Sequence, residues 1–178
     1  MEVGAGEYTD APYRDEGPVI ELSDLAYLAG AWAGNGHAQY PTIPEADYRE
    51  ELVFSSDGKN PFIHYVQRTW RIGVGSEEPL FWESGFLIDR GNGTFEMASS
   101  QQSGRMELLR GNALAGPKRE VALELNSVSI VNDDRMIRSQ RIYHFRPGSL
   151  SYELRMSTKV NPTMDVHLRA TLSKNNPT

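Results

Sequence analysis

The chain has no cysteine among its 178 residues. Disulfides, thiolate metal ligands and a cysteine nucleophile are therefore excluded together, and a metal must be held by nitrogen or oxygen donors or arrive inside a cofactor. Histidine is scarce too: His37, His64, His144 and His167 are the whole imidazole inventory. None falls in an H-x-H or H-E-x-x-H spacing, so a zinc site built by the protein alone is not expected. Basic charge is short, with 18 Lys and Arg against 24 Asp and Glu and a net charge of −6. The cations are scattered among acids, which argues against a nucleic-acid surface. No apolar run approaches the ~20 residues of a membrane helix. Met1-Glu2-Val3 opens acidic without a basic n-region, so neither a signal peptide nor a span is expected and the location reads as cytoplasmic. There is no G-x-S-x-G elbow for acyl transfer and no Gly-Lys-Ser/Thr phosphate loop. The acidic pairs Glu50-Glu51, Glu77-Glu78 and Asp133-Asp134 are adjacent. On a strand such pairs point to opposite faces, and in turns they are solvated, which speaks against a glycosidase pair.

What is present reads as a single all-β domain. Residues 1 to 17 are rich in Gly, Pro and acids, lack periodicity, and read as a flexible tail; residues 18 to 175 read as one domain. Ser23 looks like the N-cap of a short helix carrying Leu25, Ala26 and Leu28, placed to plug one end of the fold. From there onward, runs rich in Val, Ile, Tyr, Phe and Thr repeat. They are Leu28 to Tyr40, Tyr48 to Ser56, Phe62 to Ile72, Leu80 to Asp89, Thr94 to Ser100, Arg105 to Arg110, Glu120 to Ile130, Arg135 to Phe145, Leu150 to Lys159 and Val166 to Ser173. Turn signals separate them, among them Asp57-Gly58-Lys59-Asn60, Gly91-Asn92-Gly93, Asn132-Asp133-Asp134 and Pro147-Gly148. Short antiparallel connections and the liability of open edges predict a ten-stranded antiparallel up-and-down β-barrel. A barrel of that size is too wide for its side chains to fill and tends to hold one ligand.

The run Gly30-Ala31-Trp32-Ala33-Gly34-Asn35-Gly36 puts Leu28, Gly30, Trp32, Gly34 and Gly36 on one strand face. Glycines there admit another backbone or a flat ligand and allow the sharp coiling that closes a small barrel; pure sheet geometry, or an Asn35-Gly36 hairpin turn, reads the same residues. Tyr40-Pro41-Thr42-Ile43 follows. Near the other end stand Asn161-Pro162 and Val166-His167-Leu168-Arg169-Ala170-Thr171-Leu172. Strand parity by itself puts His167 with Arg169, Thr171 and Ser173 on the solvent face, unless regular pairing begins at Leu168 and His167 curls over the barrel mouth.

These segments, with Gln67-Arg68-Thr69-Trp70 and Glu83-Ser84-Gly85-Phe86 between them, resemble the nitrobindins, small haem-binding, lipocalin-like β-barrels also found as the C-terminal domain of a larger zinc-finger protein. The resemblance spans roughly Leu25 to Leu172. It implies haem b bound through His167 as the iron ligand, with Thr42 on the haem periphery. The second nitrogen of His167 would donate to a backbone carbonyl or water. It implies reversible nitric oxide binding and isomerisation of peroxynitrite to nitrate at ferric iron. Its partners would be haem and small diatomic or nitrogen-oxide ligands, with no nucleic acid and no membrane, in a monomer or homodimer.

Two departures stand out. Phe81 occupies the position where the family commonly has a distal-side histidine, and the approach from Asn161 to His167 is one residue longer than the usual N-P-x-x-x-H. Trp70 is expected to pack the barrel, and Arg68 to be buried or at its rim. The rival reading is a haem-free carrier of an apolar small molecule, similar to fatty-acid-binding proteins, with Phe81 and Trp32 lining the cavity.

Overall fold

The computed structural model describes residues 18–40, 44–73 and 78–175; the tail read at 1–17 lies outside them. Ten strands follow in chain order: β1 (Gly30–Ala38), β2 (Ala46–Ser55), β3 (Phe62–Arg71), β4 (Glu78–Gly91), β5 (Thr94–Gln101), β6 (Met106–Ala115), β7 (Val121–Val131), β8 (Met136–Arg146), β9 (Ser149–Thr158) and β10 (Asp165–Lys174). Each pairs antiparallel with its neighbours in sequence, and β1 closes the barrel on β10, Gly34 opposite Leu172 and Ala38 opposite Leu168. The expected turns fall between the strands. Asn35 and Gly36 are not a hairpin; they lie inside β1, paired on both sides.

Alternation decides the interior. On β3, Ile63, Tyr65, Gln67 and Thr69 are buried while the residues between them face outward. Trp70 is therefore on the outer wall, not in the barrel. Its ring meets Trp82 edge-on at 5.8 Å, the Arg49 guanidinium lies 3.9 Å over it, and exposed Arg68 covers Trp82.

The expected plug is present as a 3-10 helix, Leu22–Leu28, which buries Leu25 and Leu28 completely. Glu21, not Ser23, is its N-cap. The Asp24 carboxylate, three residues on, accepts the Glu21 N–H at 3.0 Å and organises the first turn from outside Ser23. The Trp32 indole donates to Leu28 O at 2.7 Å, fastening the plug to β1. A second 3-10 turn, Pro117–Arg119, links β6 to β7. None of the described helices is long and apolar enough to cross a membrane.

The glycine run is sheet geometry with a consequence. A Cβ on Gly36 would lie 2.3 Å from Tyr48 Cζ and 2.5 Å from Arg169 O, so the Tyr48 ring occupies the space a side chain would take. Gly36→Ala is expected to destabilise the barrel by about 1–3 kcal/mol through overpacking. Denaturant unfolding checks this; a midpoint equal to that of the native chain would show that Tyr48 moves aside without cost.

Candidate functional site

One end of the barrel gathers the C-terminal ends of β1, β3, β5, β7 and β9 and the starts of β2, β4, β6, β8 and β10. The plug helix sits at the opposite end, since it leads directly into the start of β1. His167 is at the open end, on β10.

Its orientation comes from a bulge. Val166 pairs with Arg155 and Leu168 with Leu154, consecutive positions on β9, so His167 is an extra residue with no partner opposite it. The inserted residue resets the alternation, and His167 and Leu168 are both buried, 2% and 0% exposed. The solvent-facing parity is thus overturned, and by a different route from the one expected: pairing begins before His167, at Asp165, not after it. The preceding connection is tied to β9 and β10. Thr158 N–H donates to Asn161 O at 2.8 Å, Asn161 Nδ2 to Asp165 at 2.7 Å, and Ser157 Oγ to Pro162 O at 2.7 Å.

The imidazole stacks on Tyr40, with ring centroids 5.3 Å apart and planes 11° from parallel. Neither Nδ1 nor Nε2 has a hydrogen-bond partner among the described residues. The expected backbone acceptor for the second nitrogen is therefore not found; the nearby amide of Gln39 donates instead to the His167 carbonyl, at 2.9 Å. Burial pushes the imidazole pKa below its ordinary value and the Arg105 charge adds to this, while Asp165 opposes them. The ring is neutral at pH 7, the form that coordinates a metal.

A cavity of about 150 Å3 adjoins the ring. Met136 and Met156 give it apolar walls; Arg105, Asp133, Arg135, Thr158 and Asn161 give it polar ones. It is narrower than the 300–1,000 Å3 of a typical small-molecule site, so a macrocycle seated there must widen the mouth or extend beyond it. Asp133 is not the solvated turn residue the sequence suggested. Its carboxylate is nearly buried and accepts two hydrogen bonds from the Arg135 guanidinium, at 2.8 and 2.9 Å, and a third from the Arg135 backbone N–H at 3.2 Å.

Phe81 lies near the start of β4, at the same end, and is 8% exposed. Its N–H donates to Thr69 Oγ1 and its carbonyl accepts from the same hydroxyl, each at 2.8 Å. It is not among the side chains lining the His167 cavity. Thr42 lies outside the described residues. The other three histidines are apart from this end's interior. His37 is on the outer wall between Asp47 at 2.8 Å and Glu45 at 3.5 Å, and His144 is exposed on β8. His64 packs on the outward ring of Phe86. A broader depression of about 760 Å3 on the outside of β1, β8, β9 and β10 takes in His37 and His144; it is open surface and does not contain the orphaned imidazole.

Below the cavity the barrel is filled with charge, which the sequence reading missed. Arg141, 2% exposed, is held bidentately by Glu83, with Nη2 also reaching Ser99 and Glu107 at 3.3 Å. Tyr65 donates to Glu83 at 3.0 Å and Ser139 to Glu107 at 3.0 Å. Beside them Glu50 accepts from Tyr152 at 2.7 Å and Gln67 at 2.9 Å. The signal was available: Arg141 shares parity with Tyr143 and Phe145, and Glu50 with Leu52 and Phe54, all of them buried.

Burial raises the Glu50 pKa to about 8, against the lowering effect of its two donors. A carboxyl with a folded pKa above its unfolded value binds more protons in the folded state. Its contribution to stability is complete below the ordinary carboxyl range and is lost as pH rises toward about 8. Native stability is thus expected to fall between pH 5 and 8 and Glu50→Gln to flatten that fall. Urea midpoints across this range test it, and equal slopes for the two proteins would assign the titration elsewhere.

The donor set fits a haem. The imidazole is neutral, buried and partnerless at both nitrogens, and it opens onto thioether and aliphatic walls at an accessible barrel end. The family comparison agrees: residues 21–174 match the THAP4-like, heme-binding beta-barrel domain. The chain belongs to that family of haem-binding β-barrels. A peroxynitrite isomerase from Arabidopsis thaliana is 37% identical, over 86% of this chain and 88% of that protein. A peroxynitrite isomerase from a Nocardioides strain is 33% identical, over 93% of this chain and 96% of that protein. The crystal structure of Rv2717c from M. tuberculosis superposes with a TM-score of 0.78 at 32% identity, covering 91% of this chain and all of that one. As a member of the THAP4-like family the chain has haem as its cofactor.

Proposed function

We propose that this barrel holds haem b through His167, binds nitric oxide and isomerises peroxynitrite to nitrate. The observation that carries the reading is the bulged, buried imidazole with two unpartnered nitrogens beside a cavity. Bound haem supplies a Lewis-acidic, redox-active iron at which a nitrogen oxide reacts.

The chain's own residues contribute the rest. The β10 bulge aims the imidazole inward, and Tyr40 fixes the plane of its ring. Met136 and Met156 give it apolar, polarisable neighbours. Phe81, pinned through Thr69 at the same barrel end but outside the cavity beside His167, is proposed, by resemblance, to stand on the distal side of the haem, where it has no hydrogen-bond donor to offer a ligand. Thr42 is proposed, by resemblance, to meet the haem edge. The reaction is set in the cytoplasm, in a monomer or homodimer.

The carrier reading is the weaker one. Arg141, the guanidinium deep in the interior, is already neutralised by Glu83 and Glu107, so a fatty-acid carboxylate drawn inside would find a guanidinium only in Arg105, at the mouth. A fatty acid also gives no use to an orphaned imidazole. Hemin titration of the apo-protein, followed in the Soret region, tests the proposal together with the nitrate yield from decaying peroxynitrite. A saturable one-to-one Soret shift and a nitrate yield above that of free buffer are expected. No shift would overturn the haem reading, and a shift without added nitrate would overturn the isomerase reading alone.

A further inference from the structure

Among the described residues two buried guanidiniums lie in the barrel, and their terminal nitrogens are partnered differently. Arg141 has both terminal nitrogens on carboxylates, so that only its Nε lacks a partner. Arg105 does not. It closes the turn between β5 and β6, where the Gln101 N–H donates to its carbonyl at 2.9 Å, and its side chain is 9% exposed. Nε lies 3.0 Å from Glu107 Oε1 but is misaligned and makes no hydrogen bond. Nη1 is 3.5 Å from Asp133 Oδ2, and Nη2 is 3.6 Å from Met156 Sδ. The Asp133 carboxylate is meanwhile held bidentately by Arg135. A guanidinium carries five N–H donors, and those of Arg105 meet one misaligned carboxylate, one distant one and a thioether. Leaving buried charged donors so poorly satisfied is costly. They border the cavity that contains His167.

We propose that Arg105 is an oxyanion-binding residue of the His167 cavity, supplying a planar fork of donors to an anionic oxygen group seated there. The assignment rests on the haem reading of His167. Two sources share this chemistry: a carboxylate of the porphyrin itself, or a small oxyanion of the nitrogen-oxide class brought to the cavity. In the second case Arg105 supplies the donor that Phe81 cannot, and selects anionic over neutral ligands. Planar, bidentate recognition of an oxyanion is what a guanidinium does better than an ammonium.

The test uses the full chain and three proteins: native, Arg105→Met, and the charge-balanced Arg105→Gln/Glu107→Gln, which removes both partners and so avoids stranding Glu107. Each is titrated with hemin and with hemin dimethyl ester, and the ferric complexes are titrated with nitrite and, as a neutral control, imidazole. If Arg105 takes a porphyrin carboxylate, both variants lose about tenfold or more in hemin affinity and bind the dimethyl ester as the native chain does. If it takes a small oxyanion, hemin affinity is kept, nitrite affinity falls by about tenfold or more and imidazole binding is unchanged. Hemin and nitrite affinities within twofold of native in a cooperatively folded variant would overturn the assignment. Failure of the native chain to bind hemin would overturn the haem reading, and this assignment with it.

Discussion

His167→Ala is expected to abolish the Soret shift on adding hemin, with a loss of affinity of at least about a hundredfold, on the order of what even an outer partner of a metal ligand contributes. No other imidazole can substitute. His37, His64 and His144 all face the outer wall, and the remaining donors lining the cavity are the Met136 and Met156 thioethers, the Tyr40 phenol and the side-chain oxygens of Asp133, Thr158 and Asn161, none of them an imidazole. The fold should survive. The imidazole nitrogens make no hydrogen bonds, so the substitution strands no buried partner and removes chiefly the contact with Tyr40, about 0.5–1.5 kcal/mol for a stacked pair. Far-ultraviolet circular dichroism and the urea midpoint check the fold, and hemin titration checks the site. Added imidazole should enter the vacated space and restore part of the Soret shift. A variant that binds hemin with an unchanged spectrum would eliminate His167 as the ligand.

Arg141→Met should have the largest effect on stability. The substitution removes the cation that joins Glu83 on β4 to Glu107 on β6 and leaves two carboxylates buried, 4% and 4% exposed, with only neutral donors and Arg105 nearby. Breaking one side of a buried ion network typically costs about 3–5 kcal/mol, which for a chain of this length lowers the melting temperature by roughly 6–20 °C. Adding Glu83→Leu should recover part of the loss, because it removes the unpaired charge closest to the deletion. Thermal melts of native, single and double variants measure both steps. A double variant no more stable than the single one would mean that Glu83 is paired independently of Arg141. Arg141 also sits beneath the cavity, so the hemin affinity of a folded double variant shows whether the interior charge cluster supports the site or only the barrel.

Much of this was legible in the sequence for identifiable reasons. Local alternation and turn chemistry are set by near neighbours, and they placed the ten strands and the connections between them. The glycine parity of β1 anticipated that another backbone comes close, as Thr171 O does at Gly34 and Arg169 O at Gly36, but not that the Tyr48 ring fills the space over Gly36. The same reasoning failed where a local rule gave way to tertiary pairing. Trp70 reads as core by hydrophobicity, yet the inward register of Tyr65, Gln67 and Thr69 sends it outward. Ser23 reads as a cap by residue type, yet Asp24 organises the turn from Glu21.

The sequence by itself determined the fold class, the family and the exclusion of cysteine-based chemistry, because each depends on composition, periodicity or a contiguous motif. Tertiary structure alone decided where His167 points, since a bulge exists only as a mismatch between two paired strands: β10 supplies one residue more than β9 can pair. It alone also decided which charges are spent and which are available. Arg141 and Arg105 are the same residue type, and only the carboxylates carried to them by β4, β6 and the turn after β7 distinguish a cation with both terminal nitrogens on carboxylates from one whose terminal nitrogens border a cavity.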